Sequence, residues 1–310
     1  MIFKGIKSSV FALSLTLVAC SGRINRNPDG KRYDLSLRLF AGGRYYYTIS
    51  NEANTVVKVN GKEVKIDKKT ELGLIYEFEN DSLGNKLKIT YDKLRVAYQG
   101  NGETKYIDIA DTGQDADPTS KLLSGIRGAS FVVIIDRTGD LVRIDGSNEL
   151  LDRIMSSMNT NDANAKKLMR ETISGWIGED FIKSNIQRSF KLFPDTAVRI
   201  NDVWTKNITP AGATKSQALT TCSLKEVNDD IAEVVMKSDV AEPNGKMTVM
   251  GHPVGSNLKG TEDGILYADL KTGLLTKGET SSQMTGTFSV MGVDVPVTVN
   301  VKGKIEGKRI

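Results

Sequence analysis

Few side chains in this sequence can act as thiol nucleophiles, imidazole bases or soft metal ligands, because it has two cysteines and one histidine in 310 residues. Cys222 lies in the strand-like stretch 219–224, where we expect a buried thiol that behaves as a small hydrophobic group. A cysteine nucleophile needs an adjacent base, and the only histidine, His252, lies in a turn-like Gly-His-Pro sequence. The sequence has no Gly-x-Ser-x-Gly, P-loop or His-Glu-x-x-His motif. We therefore expect no enzyme activity and no cofactor.

The other cysteine, Cys20, ends the sequence Leu-Val-Ala-Cys. It follows Lys4, Lys7 and an apolar stretch over residues 10–19. This order resembles a bacterial lipoprotein signal peptide. The resemblance implies cleavage before Cys20, acylation of its sulfur and its new amino group, and attachment of the chain to a membrane by lipid. A membrane-spanning helix is the alternative, but it needs about 20 apolar residues.

The predicted domain organisation follows from this signal. Residues 1–19 form the signal peptide, residues 20–32 form a lipidated flexible tether rich in polar and turn-forming residues, and residues 33–310 form one β-rich domain. A subdivision of that domain near residue 195 is the alternative. Ser21 follows the cysteine where an inner-membrane retention signal usually has Asp, which favours the outer membrane over the inner membrane.

The charge balance gives no indication of a nucleic-acid partner. The formal net charge is +4 for the whole sequence, with 42 basic and 38 acidic residues. The basic and acidic residues are interleaved, which is typical of a solvated surface, whereas nucleic-acid binding calls for a basic patch or stripe. The expected membrane contact is therefore the lipid anchor.

Apolar residues alternate with polar ones on both sides of a helical middle section. The alternation predicts strands over residues 33–145 and again after residue 195. Between them, apolar residues three and four positions apart predict helices, with a break where Gly175 and Gly178 weaken the pattern. Because strands and helices are segregated along the chain, we predict an α+β fold. The expected architecture is a strongly curved, mainly antiparallel, half-barrel-like sheet with the helices packed on its concave face.

The apolar stripe of the helical section supplies candidate binding residues. Leu168, Trp176, Phe181 and Ile186 belong to the apolar residues that recur three and four positions apart along this section. Such a stripe packs into a core in most proteins, and the alternative is that these four side chains line a cavity under the sheet.

An acidic cluster is the best candidate for a metal site. Asp108, Asp111, Asp115 and Asp117 lie close together in sequence, and carboxylates in a flexible loop are ligands that calcium prefers. Their spacing does not fit the EF-hand loop, so we favour a polar connecting loop without a metal.

Turn and core residues spread along the chain support a resemblance to a known family. They are Leu35-x-Leu37-x-Leu39, Gly43-x-Tyr45-x-Tyr47, Gly128…Phe131, Asp136-x-Thr138-Gly139, Phe193-Pro194…Val198…Trp204 and Gly260…Asp269-x-x-Thr272-Gly273. With them the chain resembles an uncharacterised family of β-rich lipoproteins from Gram-negative bacteria. Its layout is also similar to half-barrel lipoprotein carriers, in which a curved sheet wraps helices over an apolar cavity.

Three functions remain open on the sequence. The favoured one is a non-enzymatic, membrane-anchored envelope lipoprotein that binds an apolar or amphiphilic ligand. The second is a structural or assembly lipoprotein that binds an envelope protein. The third, a hydrolase, would use two carboxylates that meet from distant positions in the sequence.

Overall fold

The computed structural model describes residues 30–59, 61–81, 84–100, 102–136, 139–158, 162–208, 217–249, 252–290 and 292–310. The strands within these residues are β1 (Arg44–Val59), β2 (Lys62–Asp81), β3 (Gly84–Gly100), β4 (Glu103–Asp108), β5 (Ser130–Ile135), β6 (Leu141–Asp145), β7 (Val203–Ile208), β8 (Gln217–Asn228), β9 (Ile231–Val249), β10 (His252–Asp269), β11 (Leu275–Val290) and β12 (Val293–Arg309). The α-helices are α1 (Pro118–Leu123), α2 (Ser147–Ser156), α3 (Ala163–Ile177) and α4 (Glu179–Phe190), and a 3-10 turn spans Ser124–Ile126.

These strands form one open, curved, antiparallel sheet. Their order is β6-β5-β3-β2-β1-β12-β11-β10-β9-β8-β7, and β4 pairs with the second part of β3. The predicted α+β class with a half-barrel-like sheet is therefore confirmed. Pairing between β1 and β12 joins the strands before and after residue 195 into a single sheet.

Alternation sets the two faces of the sheet. In β2, Leu72, Leu74, Tyr76 and Phe78 are buried on the concave face. In β3 a bulge at Asp92 changes the phase of the alternation, because Gly73 pairs with Lys93 while Leu74 pairs with Tyr91. The bulge keeps buried residues on the concave face at both ends of this long strand.

Two glycines allow neighbouring strands to approach closely where the sheet bends. A Cβ atom at Gly260 would collide with the carbonyl oxygen of Gln283, and one at Gly286 would collide with that of Asn257. Both pairs lie between β10 and β11. Glycine is the residue that leaves room for such an approach inside a strand.

The helices cover one end of the concave face. Ile173 and Ile177 of α3 and Ile182 and Ile186 of α4 are buried with side chains of β1, β2 and β3 in one core cluster. The helix break predicted by the sequence is confirmed at Gly178, which is extended between α3 and α4. Asp162 caps α3 by accepting hydrogen bonds from the backbone N–H groups of residues 164 and 165.

A second core cluster lies under the last strands. It contains Leu35 from the segment before β1, Leu192 and Phe193 from the chain after α4, and inner side chains of β8, β9 and β10. Ile305 of β12 packs against both clusters, so the two cores meet at the centre of the sheet. Among the described residues, no helix is both long enough and apolar enough to cross a membrane.

Candidate functional site

Of the two cysteines considered in the sequence analysis, the structure describes one. Cys20, the predicted lipidation site, lies outside the described residues. Cys222 is buried in β8, which confirms the expected small hydrophobic role. Burial raises the pKa of its thiol to about 12, so the thiol stays protonated and unreactive near neutral pH.

The acidic cluster serves local structure. Asp117 caps α1 by accepting a 2.7 Å hydrogen bond from the N–H of Thr119. Asp108 accepts from Arg95 Nε at 2.7 Å and from the N–H of Ala110 at 2.9 Å. Burial opposes ionisation of Asp108, but these hydrogen bonds outweigh it and hold its carboxyl pKa below the usual value. Within the described residues, no group of three or more His, Cys, Asp or Glu side chains is arranged to hold a metal ion.

The candidate cavity-lining residues lie in or beside the core. Ile186 is buried in the first core cluster, and Trp176 and Phe181 are half-buried against it. Leu168 lies on α3, and its side chain is outside the described set. The hydroxyl group of Tyr91 donates to the carbonyl oxygen of Trp176 at 3.4 Å, which joins α3 to β3.

An open cavity of about 810 Å³ crosses the sheet from Thr104 of β4 over β3, β2, β1, β12 and β11 to Thr261 of β10. Most of its lining residues, including Glu52 and Lys69, alternate to the face opposite the core residues, so this cavity lies on the convex face. The helices leave part of the concave face uncovered further along the strands, and we call this part of the concave face the trough.

Register and alternation identify the side chains that enter the trough. Lys68 pairs with Ala53, Ala53 pairs with Val301, Val301 pairs with Ser282, and Ser282 pairs with Glu262. We call these five residues the Lys68 row. Directly paired residues share a face of the sheet, and Ala53 has the same parity in β1 as the core residue Tyr47. The row consists of small and polar side chains, with a lysine at one end and a glutamate at the other.

Aliphatic residues occupy the concave face next to the Lys68 row, on the side away from the helices. The row beside it contains Ile66, Thr55, Val299, Met284, Gly260 and Val240, and the next contains Val64, Val57, Val297, Gly286 and Leu258. We call them the aliphatic rows. Val240, Val297 and Leu258 are buried. The concave face thus changes along the strands from a helix-covered core to a polar band and then to an aliphatic surface.

Lys68 is the cationic side chain that alternation directs into the trough. It remains exposed to water, yet the surrounding walls of the sheet desolvate its ammonium group and lower its pKa. Exposure and desolvation occur together because a side chain inside a concave surface meets both water and protein. Desolvation disfavours the charged form of an amine.

Two further cavities are present. One of about 100 Å³ lies between α4 and the sheet, beside Arg188 and Glu262. The other, of about 760 Å³, lies at the opposite end of the half-barrel from the hairpin that joins β1 and β2, beside Phe40, Tyr45 and Phe78. The small volume under α4 shows that the helices fill that part of the concave face.

The geometry defines the class: an α+β, half-barrel-like protein with an open, partly polar trough beside a helix-filled core. A profile of the family of unknown function DUF6263 matches residues 84–275. The chain belongs to this family, and the expected membership of a family without an assigned function is thereby confirmed. The match covers Glu262 but not Lys68, Ala53, Ser282 or Val301.

Other comparisons give no closer relative of known function. No curated protein matches the chain. Lipovitellin, in a structure titled for its lipid–protein interactions, has 9% identity, 87% of this chain covered and a TM-score of 0.49, and this chain spans 25% of its length. OccK5 (OpdH) of Pseudomonas aeruginosa has 8% identity over 87% of this chain and 98% of its own, with a TM-score of 0.26.

A domain of a putative outer membrane lipoprotein-sorting protein from Vibrio parahaemolyticus has 10% identity over 86% of this chain and 85% of its own. Its TM-score is 0.14. Similarities of this size carry no conclusion about what the chain binds.

The sequence analysis did not identify the Lys68 row, because none of its residues belongs to a motif. The available signal was the alternation around Lys68, which places this lysine in phase with Ile66 and Leu72. Recognising it required the strand pairing, which brings residues from β1, β2, β10, β11 and β12 together.

Proposed function

We propose that this protein is a non-enzymatic, membrane-anchored envelope lipoprotein that binds an amphiphilic ligand in the trough. The observation that carries the proposal is the change along the concave face from the polar Lys68 row to the aliphatic rows. Such a surface complements a molecule with a polar head and an apolar tail.

The described polar groups of the trough support binding more than catalysis. Glu262 forms an ion pair with Arg188 of α4, and Cys222 is a buried, protonated thiol on another part of the sheet. General acid–base catalysis requires a titratable group positioned to reach the substrate. The polar groups of the Lys68 row are instead suited to orienting a head group.

The anchor is proposed from the sequence around Cys20, and Ser21 favours the outer membrane. Metabolic labelling with an alkyne-tagged palmitate tests it. We expect label on the full chain and none on Cys20→Ser, with the wild-type protein in the outer-membrane fraction. Equal labelling of both proteins would contradict the assignment of Cys20.

The ligand proposal is tested with two adjacent serines on opposite faces of β11. Ser282 pairs with Val301 and Glu262 on the trough face, whereas Ser281 pairs with Lys302 and Asp263 on the convex face. The full chain with Cys20→Ser is titrated with N-phenyl-1-naphthylamine, an uncharged fluorophore that brightens in apolar sites. Cys20→Ser keeps the protein's own acyl group from competing.

We expect saturable binding that Ser282→Trp weakens and Ser281→Trp leaves unchanged. An indole at residue 282 would occupy the trough, and an indole at residue 281 would lie in solvent. No saturable binding by the parent protein, or equal binding by all three proteins, would contradict the proposed ligand site.

The free edges of the sheet favour a second candidate function. β6 and β7 end the strand order among the described strands, and an open edge is a template for a strand from another protein. In an assembly role, cross-linking from Val142 on β6 or Val203 on β7, both exposed, would recover an envelope protein. Recovery of no cross-linked protein from either edge would count against this role.

A further inference from the structure

The cavity of about 760 Å³ at the end of the half-barrel, which we call the end cavity, has a floor of aromatic side chains. Tyr45 and Tyr47 of β1 and Phe78 of β2 line it from the concave face. The hydroxyl group of Tyr47 donates to the carbonyl oxygen of Leu275 at 3.0 Å, and this bond holds the ring across Gly307. Tyr45 meets Phe78 edge to face, with ring centroids 5.6 Å apart. The sheet therefore fixes the positions of the rings in the floor.

Two connecting segments form the walls of the end cavity. The chain before β1 contributes Leu39 and Phe40, and the turn between β10 and β11 contributes Thr272 and Leu274. The backbone N–H of Arg38 donates to the carbonyl oxygen of Thr272 at 2.8 Å, which joins the two walls. Phe40 keeps 63% of its surface exposed, so its ring retains apolar area that a ligand would cover. The volume of about 760 Å³ lies within the ~300–1,000 Å³ range of small-molecule sites.

The charged residues that line the end cavity are mainly basic. They are three cations, Arg38, Lys271 and Arg309, and one acid, Asp269. The carboxylate of Asp269 is used by its own turn. It accepts hydrogen bonds from the backbone N–H of Lys271 at 2.8 Å and from the hydroxyl group of Thr272 at 3.1 Å. The basic charge of the lining therefore exceeds the acidic charge, which favours an anionic ligand over a cationic one.

Arg309 is the cation of this lining that has no counter-ion among the described residues. Arg38 forms an ion pair with Asp34, and Lys271 forms one with Asp230 at 2.9 Å. No described side chain forms an ion pair or a hydrogen bond with the guanidinium group of Arg309. This planar group has five N–H donors in a fixed fork, which matches the paired oxygens of an anion.

Strand pairing places this free cation beside the aromatic floor. Arg309 of β12 lies directly opposite Tyr45 of β1. Directly paired side chains share a face of the sheet and have Cβ atoms about 4.5–5.5 Å apart. The hydroxyl group of Tyr45 forms no hydrogen bond with another described residue, so it is a second donor at the same place. The end cavity thus combines an aromatic surface with a cation and a hydroxyl group.

A flat aromatic molecule with an acidic group matches this combination. Aromatic rings attract one another in offset or edge-to-face arrangements, in addition to the gain from burying their area. The rings of Phe40 and Tyr45 offer such contacts, whereas an alkyl chain would gain the burial alone. The acidic group would accept charge-assisted hydrogen bonds from Arg309, and these are stronger than hydrogen bonds between neutral groups.

We infer that the end cavity binds a small aromatic anion, with its ring against Phe40 and Tyr45 and its anionic group on Arg309. The end cavity lies at the start of β1, whereas the trough lies toward the hairpin that joins β1 and β2. The inference therefore adds a second site and does not rest on the proposed function.

The experiment measures binding to the full chain carrying Cys20→Ser by isothermal titration calorimetry. The probes are 2-naphthoate, the aromatic anion; 2-naphthylmethanol, which has the same ring without the charge; and decanoate, an anion of similar size without a ring. Each is used below the concentration at which it aggregates.

Two variants and two matched controls test the named contacts. Arg309→Met removes the cation, and Lys308→Met is its control, because Lys308 is exposed on the convex face opposite Tyr46. Phe40→Ala removes the exposed ring. Val293→Ala is its control, since Val293 is 64% exposed at the other end of β12. All four side chains are exposed, and thermal unfolding checks that each variant is folded.

We expect the parent protein to bind 2-naphthoate about tenfold or more tightly than either of the other probes. Arg309→Met should remove the preference for 2-naphthoate over 2-naphthylmethanol and leave the binding of the alcohol unchanged. Phe40→Ala should weaken both naphthyl probes by about threefold or more, because both lose contact with the ring. Lys308→Met and Val293→Ala should bind all three probes as the parent protein does.

Three results would overturn the inference. If Arg309→Met keeps the preference, or if decanoate binds as tightly as 2-naphthoate, the end cavity does not select an aromatic anion. If 2-naphthoate does not bind, or binds Phe40→Ala as it binds the parent protein, the end cavity is not its site. Ser282→Trp separates the end cavity from the trough, because it fills only the trough. Loss of 2-naphthoate binding in Ser282→Trp would place this probe in the trough.

Discussion

Arg188 on α4 donates a hydrogen bond through Nη2 to Oε1 of Glu262 on β10, and this ion pair joins the helical section to the sheet where the trough begins. Glu262 is buried, so its carboxylate has little contact with water. The pair marks the boundary between the helix-filled and open parts of the concave face. It also directs the glutamate of the Lys68 row toward the helix and away from Lys68.

Arg188→Met is expected to lower the free energy of unfolding by about 1–3 kcal/mol, because it leaves the buried Glu262 carboxylate without its cation. Arg170→Met is the matched control, since Arg170 pairs with Asp152 on the exposed surface, and its loss should cost less than about 1 kcal/mol. Urea unfolding followed by circular dichroism measures both. Equal effects would show that burial of Glu262 adds nothing to this pair.

The double variant Arg188→Met, Glu262→Met separates the pair from the packing around it. Replacing both partners of a buried ion pair by apolar residues is often neutral. We therefore expect the double variant to be more stable than Arg188→Met alone. A double variant as unstable as the sum of the two single variants would indicate that their packing, rather than their charges, holds α4 in place.

The fold was predictable from the sequence because burial on one face leaves a period-two pattern in each strand. Leu72, Tyr76 and Phe78 show it directly, and the helix break at Gly178 follows from the low helix propensity of glycine. The trough was not predictable in the same way. Lys68 lies among other lysines between residues 58 and 69, and only the pairing with Ala53 and Val301 separates it from them.

The apolar helical stripe shows the same limit. Its periodicity identified residues that face the sheet, including Ile186, but periodicity does not distinguish a filled interface from a lined cavity. That difference depends on how far along the strands the helices extend. The lengths of β1, β10 and β12, at 16, 18 and 17 residues, leave part of the concave face beyond the helices.

Tyr46 makes the stability of the sheet fall at alkaline pH. Its hydroxyl group crosses Gly73 on the convex face and donates to Asp92 Oδ2 in the bulge of β3 at 2.8 Å. Burial and then the hydrogen bond to Asp92 raise the pKa of the phenol to about 12. An unfolded tyrosine loses its proton near pH ~10, so this contribution is complete below pH ~10 and is lost as the pH rises toward 12.

Tyr46→Phe should therefore cost about 0.5–1.5 kcal/mol near neutral pH, the net value of one hydrogen bond. Its stability should also fall less steeply than that of the wild type between pH ~10 and ~12. Burial raises the phenol pKa of Tyr47, Tyr76 and Tyr91 as well, so part of the slope remains. Urea midpoints measured across this range test the prediction, and identical slopes for the two proteins would contradict it.

Gly273→Ala should destabilise the protein more than Gly42→Ala. Both glycines have positive φ, +71° and +81°, so each substitution introduces about 1–2 kcal/mol of backbone strain. A Cβ at Gly273 would also collide with the carbonyl oxygen of Ser36, whereas nothing lies within 4 Å of one at Gly42. The difference in thermal midpoint between the two variants measures how firmly the segment before β1 is held on the turn after β10. Equal midpoints would mean that Ser36 moves away at no cost.

Cys222 offers a way to measure how often the last strands open. In a full chain carrying Cys20→Ser it is the remaining thiol of the sequence. Its burial in the second core cluster, on β8 between β7 and β9, and its raised pKa, about 12, both suppress reaction with 5,5′-dithiobis(2-nitrobenzoate) in the folded protein. We expect negligible labelling in native buffer and one thiol labelled in urea.

The native labelling rate then reports local opening, because the reagent reaches the thiolate only when β8 separates from its neighbours. Thr220 and Ser238 share a buried 2.8 Å hydrogen bond between β8 and β9, so Thr220→Val should speed the labelling. Thr221→Val, at the adjacent position on the convex face, is the control and should not. Rapid labelling of the unmodified native protein would contradict the burial of Cys222 and indicate that β7, at the edge of the sheet, leaves β8 accessible.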